Sequence, residues 1–379
     1  MKTKRIVFLT GTRADFGKLK SLIEITRNQP NFDVHIFVTG MHMLKEYGYT
    51  LKEVEKCGYT NIYPFQNHTH ETTMDLTLAK TIEGFSAFVA NTNPDLIVVH
   101  GDRIEALAGA IVGSLNNVLV AHIEGGEVSG TVDELLRHAV SKMSHIHFVS
   151  NEKAKQRLLQ MGERNDTIAV IGSPDIDVML SNKLPDINLV KSYYEIPFNN
   201  YAIVLFHPVT TEAELMDEYA KHFVDALLND DTNYVVIFPN NDLGSSAILN
   251  AYKKLEHHTR FKIFPSLRFE YFLTLLKNAR FIVGNSSAGI REAPYYGLPA
   301  VNIGTRQQNR ALHKDVIHTD YGYQEILTAI TQAKTSTFEK EDLFGTGNSD
   351  QLFLSALQTD EFWQLSKQKL FNDISITHQ

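Results

Sequence analysis

The chain is poor in the features that define several large protein classes. Cysteine occurs once, at Cys57, among 379 residues. One thiol makes neither an intrachain disulfide nor a thiolate-rich metal site, and it suits a reducing compartment, so the cytoplasm is the expected location. No stretch approaches the roughly eighteen uncharged apolar residues that a membrane span requires. The apolar run near the start is broken by Thr10, Gly11 and Arg13, too soon for a secretory core. Basic residues are also in deficit: 36 Lys and Arg against 44 Asp and Glu leave a net charge of −8, with no local basic patch. That balance repels phosphate backbones and anionic lipid, and neither Trp363 nor the Phe and Tyr residues are interleaved with basic ones, so no nucleic-acid or membrane partner is expected. GxGxxG, GxSxG and HExxH are all missing, which removes the usual nicotinamide fingerprint, the serine-hydrolase elbow and a zinc helix. The pairs His68/His70 and His145/His147 have period-two spacing without a thiolate, so no metal site is expected. There is no fixed-period repeat and no low-complexity tract.

What is present is a regular alternation. Short β-branched runs at 5–9, 34–38, 96–99, 118–122, 145–149 and 168–171 are separated by helical patterns. Two stripes are clean: Ile104, Leu107, Ala108, Ile111, Val112 and Leu115, then Val132, Leu135, Leu136, Ala139, Val140 and Met143, each expected to face a sheet. Continuous apolar strands alternating with amphipathic helices indicate a parallel sheet covered on both faces. A polar stretch with Pro174, Pro185 and Pro197 then interrupts the pattern, which restarts with strands at 202–206, 234–238, 262–264, 281–283 and 300–303. The expectation is α/β: two doubly wound Rossmann-like domains, 1–175 and 176–354, with a cleft between them and a final helix over 355–375.

In such sheets ligands bind beyond the carboxyl ends of strands. The first strand ends in Gly11-Thr12-Arg13-Ala14-Asp15-Phe16-Gly17-Lys18. This is not a Walker loop, because five residues separate the glycines and Leu19 stands where Ser or Thr would hold magnesium. It is either an anion cradle built on backbone N–H groups and Arg13, or an ordinary strand-to-helix turn. Later strands end in His100-Gly101-Asp102-Arg103 and His122-Ile123-Glu124-Gly125-Gly126, so two carboxylates emerge beside glycines. Asp102 also reads as a helix N-cap, whereas a carboxylate closing an apolar strand, Glu124, has little structural use. Thr131-Val132-Asp133-Glu134 matches a capping box, which makes Asp133 structural when taken alone. In the second half the strand ends carry His207, the run Asn240-Asn241-Asp242, and Asn285-Ser286-Ser287-Ala288-Gly289 entering a helix. The last is an anion cradle or a serine-capped helix, with Arg291, Glu292 and Arg306 near in sequence.

Taken together, GTRADFGK, HGDRIEALAGA, HIEGGEVSGTVDE, IGSPDIDVM, FHPVTTE, GNSSAGIREAP and GTRQQNR resemble, in order and spacing, the hydrolysing UDP-N-acetylglucosamine 2-epimerases of bacterial sialic-acid synthesis. The resemblance runs from about residue 5 to residue 320 and implies a GT-B arrangement, a UDP-sugar substrate, no cofactor or metal, a homodimer or homotetramer, and a final helix packed on the N-terminal domain. It implies catalytic roles for Asp102, Glu124 and Asp133, with His207 beside the diphosphate. Arg13, Ala14, Arg103, Asn240, Asp242, Ser286, Ser287, Glu292 and Arg306 would contact UDP or sugar, and the uracil would rest near Arg268, Phe269 and Tyr271. Alternatives on the same scaffold are a hydrolysing enzyme for a UDP-2,4-diacetamido-6-deoxy sugar, a non-hydrolysing 2-epimerase, a glycosyltransferase, and a nucleotide-sugar sensor without catalysis.

Overall fold

The computed structural model describes residues 3–68, 73–129, 132–182, 184–308, 316–340 and 343–373. Thr69, His70, Gly130, Thr131, Asn309 and Arg310 of the motifs above, and residues 374 and 375 of the expected final helix, lie outside the described residues. So does the proposed capping box on Thr131.

The β-branched runs form parallel strands. In the first half these are β1 (Lys4–Thr10), β2 (Phe32–Val38), β3 (Ile62–Pro64), β4 (Leu96–His100), β5 (Leu119–Ile123), β6 (Ile146–Val149) and β7 (Ile168–Val170). They pair in the order β3-β2-β1-β4-β5-β6-β7. The second half has β8 (Ala202–Leu205), β9 (Tyr234–Ile237), β10 (Phe261–Phe264), β11 (Ile282–Gly284), β12 (Ala300–Ile303) and β13 (Ile317–Thr319), in the order β10-β9-β8-β11-β12-β13. Each order reverses once, between β1 and β4 and between β8 and β11, which creates the topological switch point of a doubly wound sheet. β3 and β13 escaped the sequence reading because they are three-residue edge strands, and Pro64 is tolerated only at such an edge.

The helices between them are α1 (Arg13–Arg27), α2 (Leu51–Glu55), α3 (Met74–Thr92), α4 (Ile104–Leu115), α5 (Val132–Met143), α6 (Glu152–Gln160) and α7 (Pro174–Leu180). The second half contributes α8 (Ile187–Tyr193), α9 (Met216–Asn229), α10 (Ser245–Tyr252), α11 (Phe269–Lys277), α12 (Ala293–Tyr296) and α13 (Tyr323–Ala333), followed by α14 (Ser349–Leu357) and α15 (Asp360–Trp363). No helix among the described residues is long and apolar enough to cross a membrane.

Alternation along the strands feeds two cores per sheet. On the first sheet Ile6, Phe8, Val98, Ala121 and Phe148 pack with α1 and α14, while Val7, Leu9, Ile97, Val99 and Val120 pack with α3 and α4 on the other face. Both expected stripes are corrected in part. In α4 the surface against the sheet includes Gly109 and Gly113, where a Cβ would stand 2.6 Å from Val99 and 2.3 Å from Val120. Glycine lets the helix approach closely, and Leu115 is left exposed. In α5 the buried residues are Asp133, Arg137, Val140 and Ser141, and Leu135 is 69% exposed. The polar side of that helix is its inner side.

The chain divides into two compact units, one of residues 1–127, 133–181 and 343–379, the other of 182–342 with the segment 128–132. The divisions therefore fall near 181 and 343, where sequence suggested 175 and 354. Pro174 marks a helix start, not a linker: it occupies the first turn of α7, where its missing N–H has no consequence. The single helix expected over 355–375 is instead α14, α15 and an irregular tail. Phe353 is fully buried against Phe8 and Phe148, with ring centroids 6.3 and 4.9 Å away. Asp177 of α7 caps α14 by accepting the Ser349 and Asp350 amides, each at 2.9 Å. Phe353→Ala should therefore lower stability by about 3–5 kcal/mol, read as a fall in urea midpoint; an unchanged midpoint would show that α14 is dispensable to this core.

Candidate active site

Glu124 is the most constrained residue at the strand ends of the first unit. Its backbone is left-handed, with φ +63°, a region that non-glycine residues enter only when their surroundings impose it. Those surroundings are visible. The Glu124 amide donates to the Phe148 carbonyl of β6 at 2.8 Å, and its carbonyl accepts from Arg137 Nη1 at 2.7 Å. The carboxylate is turned inward and is only 2% exposed. Its Oε1 accepts from the Ser173 hydroxyl. Its Oε2 lies 3.2 Å from His100 Nε2, without hydrogen-bond alignment, and 3.9 Å from Lys18 Nζ. Lys18 also pairs with the fully buried Asp175 at 3.0 Å.

Arg137 joins this group to a second carboxylate. From the inner side of α5 its Nη2 donates to Asp102 Oδ2 while Nη1 holds the Glu124 carbonyl. Asp133 lies one turn earlier on the same buried side. The N-cap reading of Asp102 is overturned, because α4 begins after Arg103 and has no side-chain cap. His122 braces the same elements. Burial holds its pKa well below 6.5, so the ring is neutral; Nε2 donates to the Gly101 carbonyl at 2.8 Å and Nδ1 accepts from the Ser141 hydroxyl at 3.0 Å. A Cβ on Gly125 would come within 2.8 Å of His122 and 2.9 Å of Ser141, so the site requires glycine there.

The loop after β1 is built differently from an anion cradle. Asp15 accepts the Gly11 and Thr12 amides at 2.9 Å each, while its own amide donates to the Thr12 hydroxyl in a reciprocal capping box. The loop's own carboxylate thus fills the position where those amides would hold a ligand anion. Behind it the fully buried His42 meets the Thr10 hydroxyl at 3.1 Å and the Thr50 hydroxyl at 2.6 Å. Arg13 is half-buried and Ala14 exposed. Arg103 is half-buried, with Nε 3.7 Å from the buried Glu105.

In the second unit Asn285, at the end of β11, clamps the His207 backbone beyond β8. Its Oδ1 accepts the His207 amide at 2.7 Å and its Nδ2 donates to the His207 carbonyl at 2.8 Å. The Asn240 amide donates to His207 Nδ1 at 3.0 Å, which leaves the ring hydrogen on Nε2. The Asn240 side chain donates to Asp242. Ser286 caps a three-residue 3₁₀ turn, accepting from the Ala288 amide at 3.3 Å, and Ser287 begins that turn; the capping alternative describes this segment. Glu292 is buried at the N-cap of α12, and Arg306 reaches the Asn285 carbonyl at 3.4 Å. Arg268 lies over the rings of Tyr193 and Tyr271, 4.8 and 5.4 Å from their centroids, next to the buried Phe269.

The structure thus joins Asp102 and Glu124 through Arg137, with Asp133 on the same buried side of α5, in one unit, and sets His207, Asn240, Asp242, Ser286 and Arg306 at neighbouring strand ends in the other. Sequence reasoning missed Lys18, Arg137, Ser173, Asp175 and Asn285. All but Arg137 stand inside the quoted motifs, but nothing local says what they touch.

Residues 24–358 match the family described as UDP-N-acetylglucosamine 2-epimerase. The chain belongs to that family. It is 51% identical to the UDP-N-acetylglucosamine 2-epimerase of Neisseria meningitidis serogroup B, over 98% of this chain and all of the relative. It is 33% identical to the hydrolysing UDP-N,N'-diacetylbacillosamine 2-epimerase of Legionella pneumophila, over 94% of this chain and 96% of that one. Among solved structures, the Methanocaldococcus jannaschii UDP-GlcNAc 2-epimerase in complex with UDP-GlcNAc and UDP matches with a TM-score of 0.81 at 23% identity, over 93% of this chain and 99% of that one. At that identity the likeness is one of fold.

This epimerase-family chain has a histidine whose burial sets an acid limit. Burial pushes His42 from 6.5 down to about 4. As pH falls the unfolded chain takes up the proton first, so stability that is complete above pH 6.5 drains away between 6.5 and 4. At about 1.4 kcal/mol per unit, His42 accounts for roughly 3 kcal/mol of that loss. Urea midpoints at pH 7 and 4.5 should draw apart less in His42→Gln than in the parent; an equal separation would dismiss the assignment.

Proposed function

We propose that the chain is a hydrolysing UDP-N-acetylglucosamine 2-epimerase, converting UDP-GlcNAc and water to N-acetylmannosamine and UDP. The observation that carries the reading is Glu124, held in a left-handed conformation at the end of β5 with its carboxylate buried among His100, Lys18 and Ser173. Strain of this kind is found where function over-determines a backbone. The hydrolysing outcome is supported by the motif resemblance and by a relative whose name specifies hydrolysis. The link to sialic-acid synthesis rests on the motifs.

The chemistry explains why carboxylates are wanted. While C1 is locked in its bond to UDP, the hydrogen on C2 of the N-acetylhexosamine is not alpha to a carbonyl, so direct deprotonation is prohibitively hard. As the bond between C1 and the UDP oxygen lengthens, positive charge on the ring acidifies that hydrogen and a carboxylate removes it. The C–H electron pair becomes the C1=C2 bond of a glycal, and the C1–O pair leaves with UDP. Water then adds its oxygen to C1 while a proton returns to C2 on the opposite face, inverting that carbon. Glu124 and Asp102 are assigned the C2 proton transfers, Asp133 leaving-group departure or hydration, and His207 with Arg13, Arg103 and Arg306 the diphosphate. Leaving-group stabilisation is the largest contribution: one preorganised donor is worth about 3 kcal/mol. Arg268, Phe269 and Tyr271 take the uracil, and Ala14, Asn240, Asp242, Ser286, Ser287 and Glu292 complete the nucleotide-sugar contacts.

A UDP-2,4-diacetamido-6-deoxy sugar is the second reading, favoured by the bacillosamine-type relative; the 51% identical relative favours plain N-acetylglucosamine. A homodimer or homotetramer in the cytoplasm belongs to the same proposal.

Proton and phosphorus NMR in heavy water, run with each sugar, tests the assignment. The expected result is stoichiometric UDP with N-acetylmannosamine deuterated at C2. Catalytic UDP with UDP-N-acetylmannosamine would instead mark a non-hydrolysing enzyme, and bound but unchanged substrate a sensor. Glu124→Gln should lower kcat by about 10²–10⁴-fold with UDP affinity unchanged; retained turnover would remove Glu124 from the chemistry.

A further inference from the structure

Ser173 sits where a serine is normally explained by helix capping. It is the N-cap residue of α7, yet its side chain makes no capping hydrogen bond. The first turn of α7 is closed without it: Pro174 has no N–H to satisfy, and the Ile176 amide donates to the Ser173 carbonyl at 2.9 Å. The hydroxyl is turned away from its helix and donates to Glu124 Oε1, 49 residues earlier in sequence. The Ser173 backbone is anchored independently, its amide donating to the Phe344 carbonyl at 2.7 Å. The residue is fully buried, so the hydroxyl is delivered to Glu124 from a fixed point.

We infer that Ser173 is a positioning residue which keeps the Glu124 carboxylate ionised and aimed for proton abstraction at C2. The inference rests on the reading of Glu124 as the base. A donor to a carboxylate stabilises its charged form, and in a buried site that donation also fixes which oxygen remains for substrate. The other groups around Glu124 are set differently. Arg137 of α5 engages its carbonyl, not its carboxylate. Lys18 of α1 stands 3.9 Å from Oε2 and is shared with Asp175 of α7. His100 at the end of β4 approaches the same Oε2. Asp102, through Arg137, is the next carboxylate. Ser173 thus meets Oε1, while Lys18 and His100 approach from the Oε2 side.

The test is the pH dependence of kcat for UDP release from UDP-GlcNAc, in the full-length chain, for the parent, Ser173→Ala and Ser173→Thr. Losing the donor raises the pH at which Glu124 ionises, so the acid limb should move up by about one pH unit in Ser173→Ala, with KM changed less than about twofold. Restoring a hydroxyl in Ser173→Thr should bring the limb back. A limb that stays in place in Ser173→Ala overturns the inference, even if turnover falls uniformly, because a uniform fall is what simple loosening of structure would produce. If Ser173→Ala does not fold, Ser173→Cys keeps the volume with a weak donor and must show the same upward movement. Glu124→Gln separates the two levels. Inactive Glu124→Gln with an unmoved limb refutes Ser173 alone, whereas active Glu124→Gln refutes the base itself and the inference with it.

Discussion

A buried arginine organises the strand ends of the first unit. A guanidinium taken out of water must be paired, since leaving such a charge without a partner costs several kcal/mol. Arg137 meets that requirement with Asp102 and with the carbonyl of Glu124, and both partners lie at the ends of central strands. The rest follows from it. Helix α5 has to present Asp133, Arg137 and Ser141 inward, Leu135 turns outward, and the chain after β5 must twist through a left-handed residue to offer a carbonyl. One ion pair thereby sets the orientation of a helix and the conformation of a catalytic candidate.

The second unit solves a parallel problem without charge. Asn285 grips both polar groups of the His207 peptide, and the Asn240 amide fixes the ring tautomer. Amides suit this task because each carries a donor and an acceptor in one plane and so pins a backbone in register. The two sheets share a topological logic, with the candidate residues gathered near the point where strand order reverses, but one anchors its groups electrostatically and the other by neutral hydrogen bonds.

Much of this was legible in the sequence. Both sheets, most strands and the placing of Asp102, Glu124 and His207 at strand ends follow from alternation and from polar residues closing apolar runs. What escaped had physical reasons. The face of α5 was misread because Leu135 and Leu136 outweigh Asp133 and Arg137 in any hydrophobic stripe, although a buried ion pair can reverse the preference. Helix α4 was misaligned because Gly109 and Gly113 carry no hydrophobic weight while permitting the closest approach to the sheet. Ser173 and Lys18 were invisible as parts of a site because their partners are remote in sequence, and Pro174 disguised a helix start as a linker. Of the two readings left open for the loop after β1, the strand-to-helix turn describes its Gly11 and Thr12 amides, for a local reason that spacing alone does not reveal: Asp15 reaches back and accepts from both.

The late return of the chain to its first sheet has a bearing on biosynthesis. Phe353, Leu357 and Phe362 complete the core beneath β1 and β6, so that layer stays open on the ribosome until residues 353–362 have emerged. The inserted second unit has every strand of its own sheet in hand well before then. Until α14 and α15 follow, a nascent chain holds all the strands of both sheets while the apolar floor of the first is bare, the kind of exposed surface that promotes aggregation.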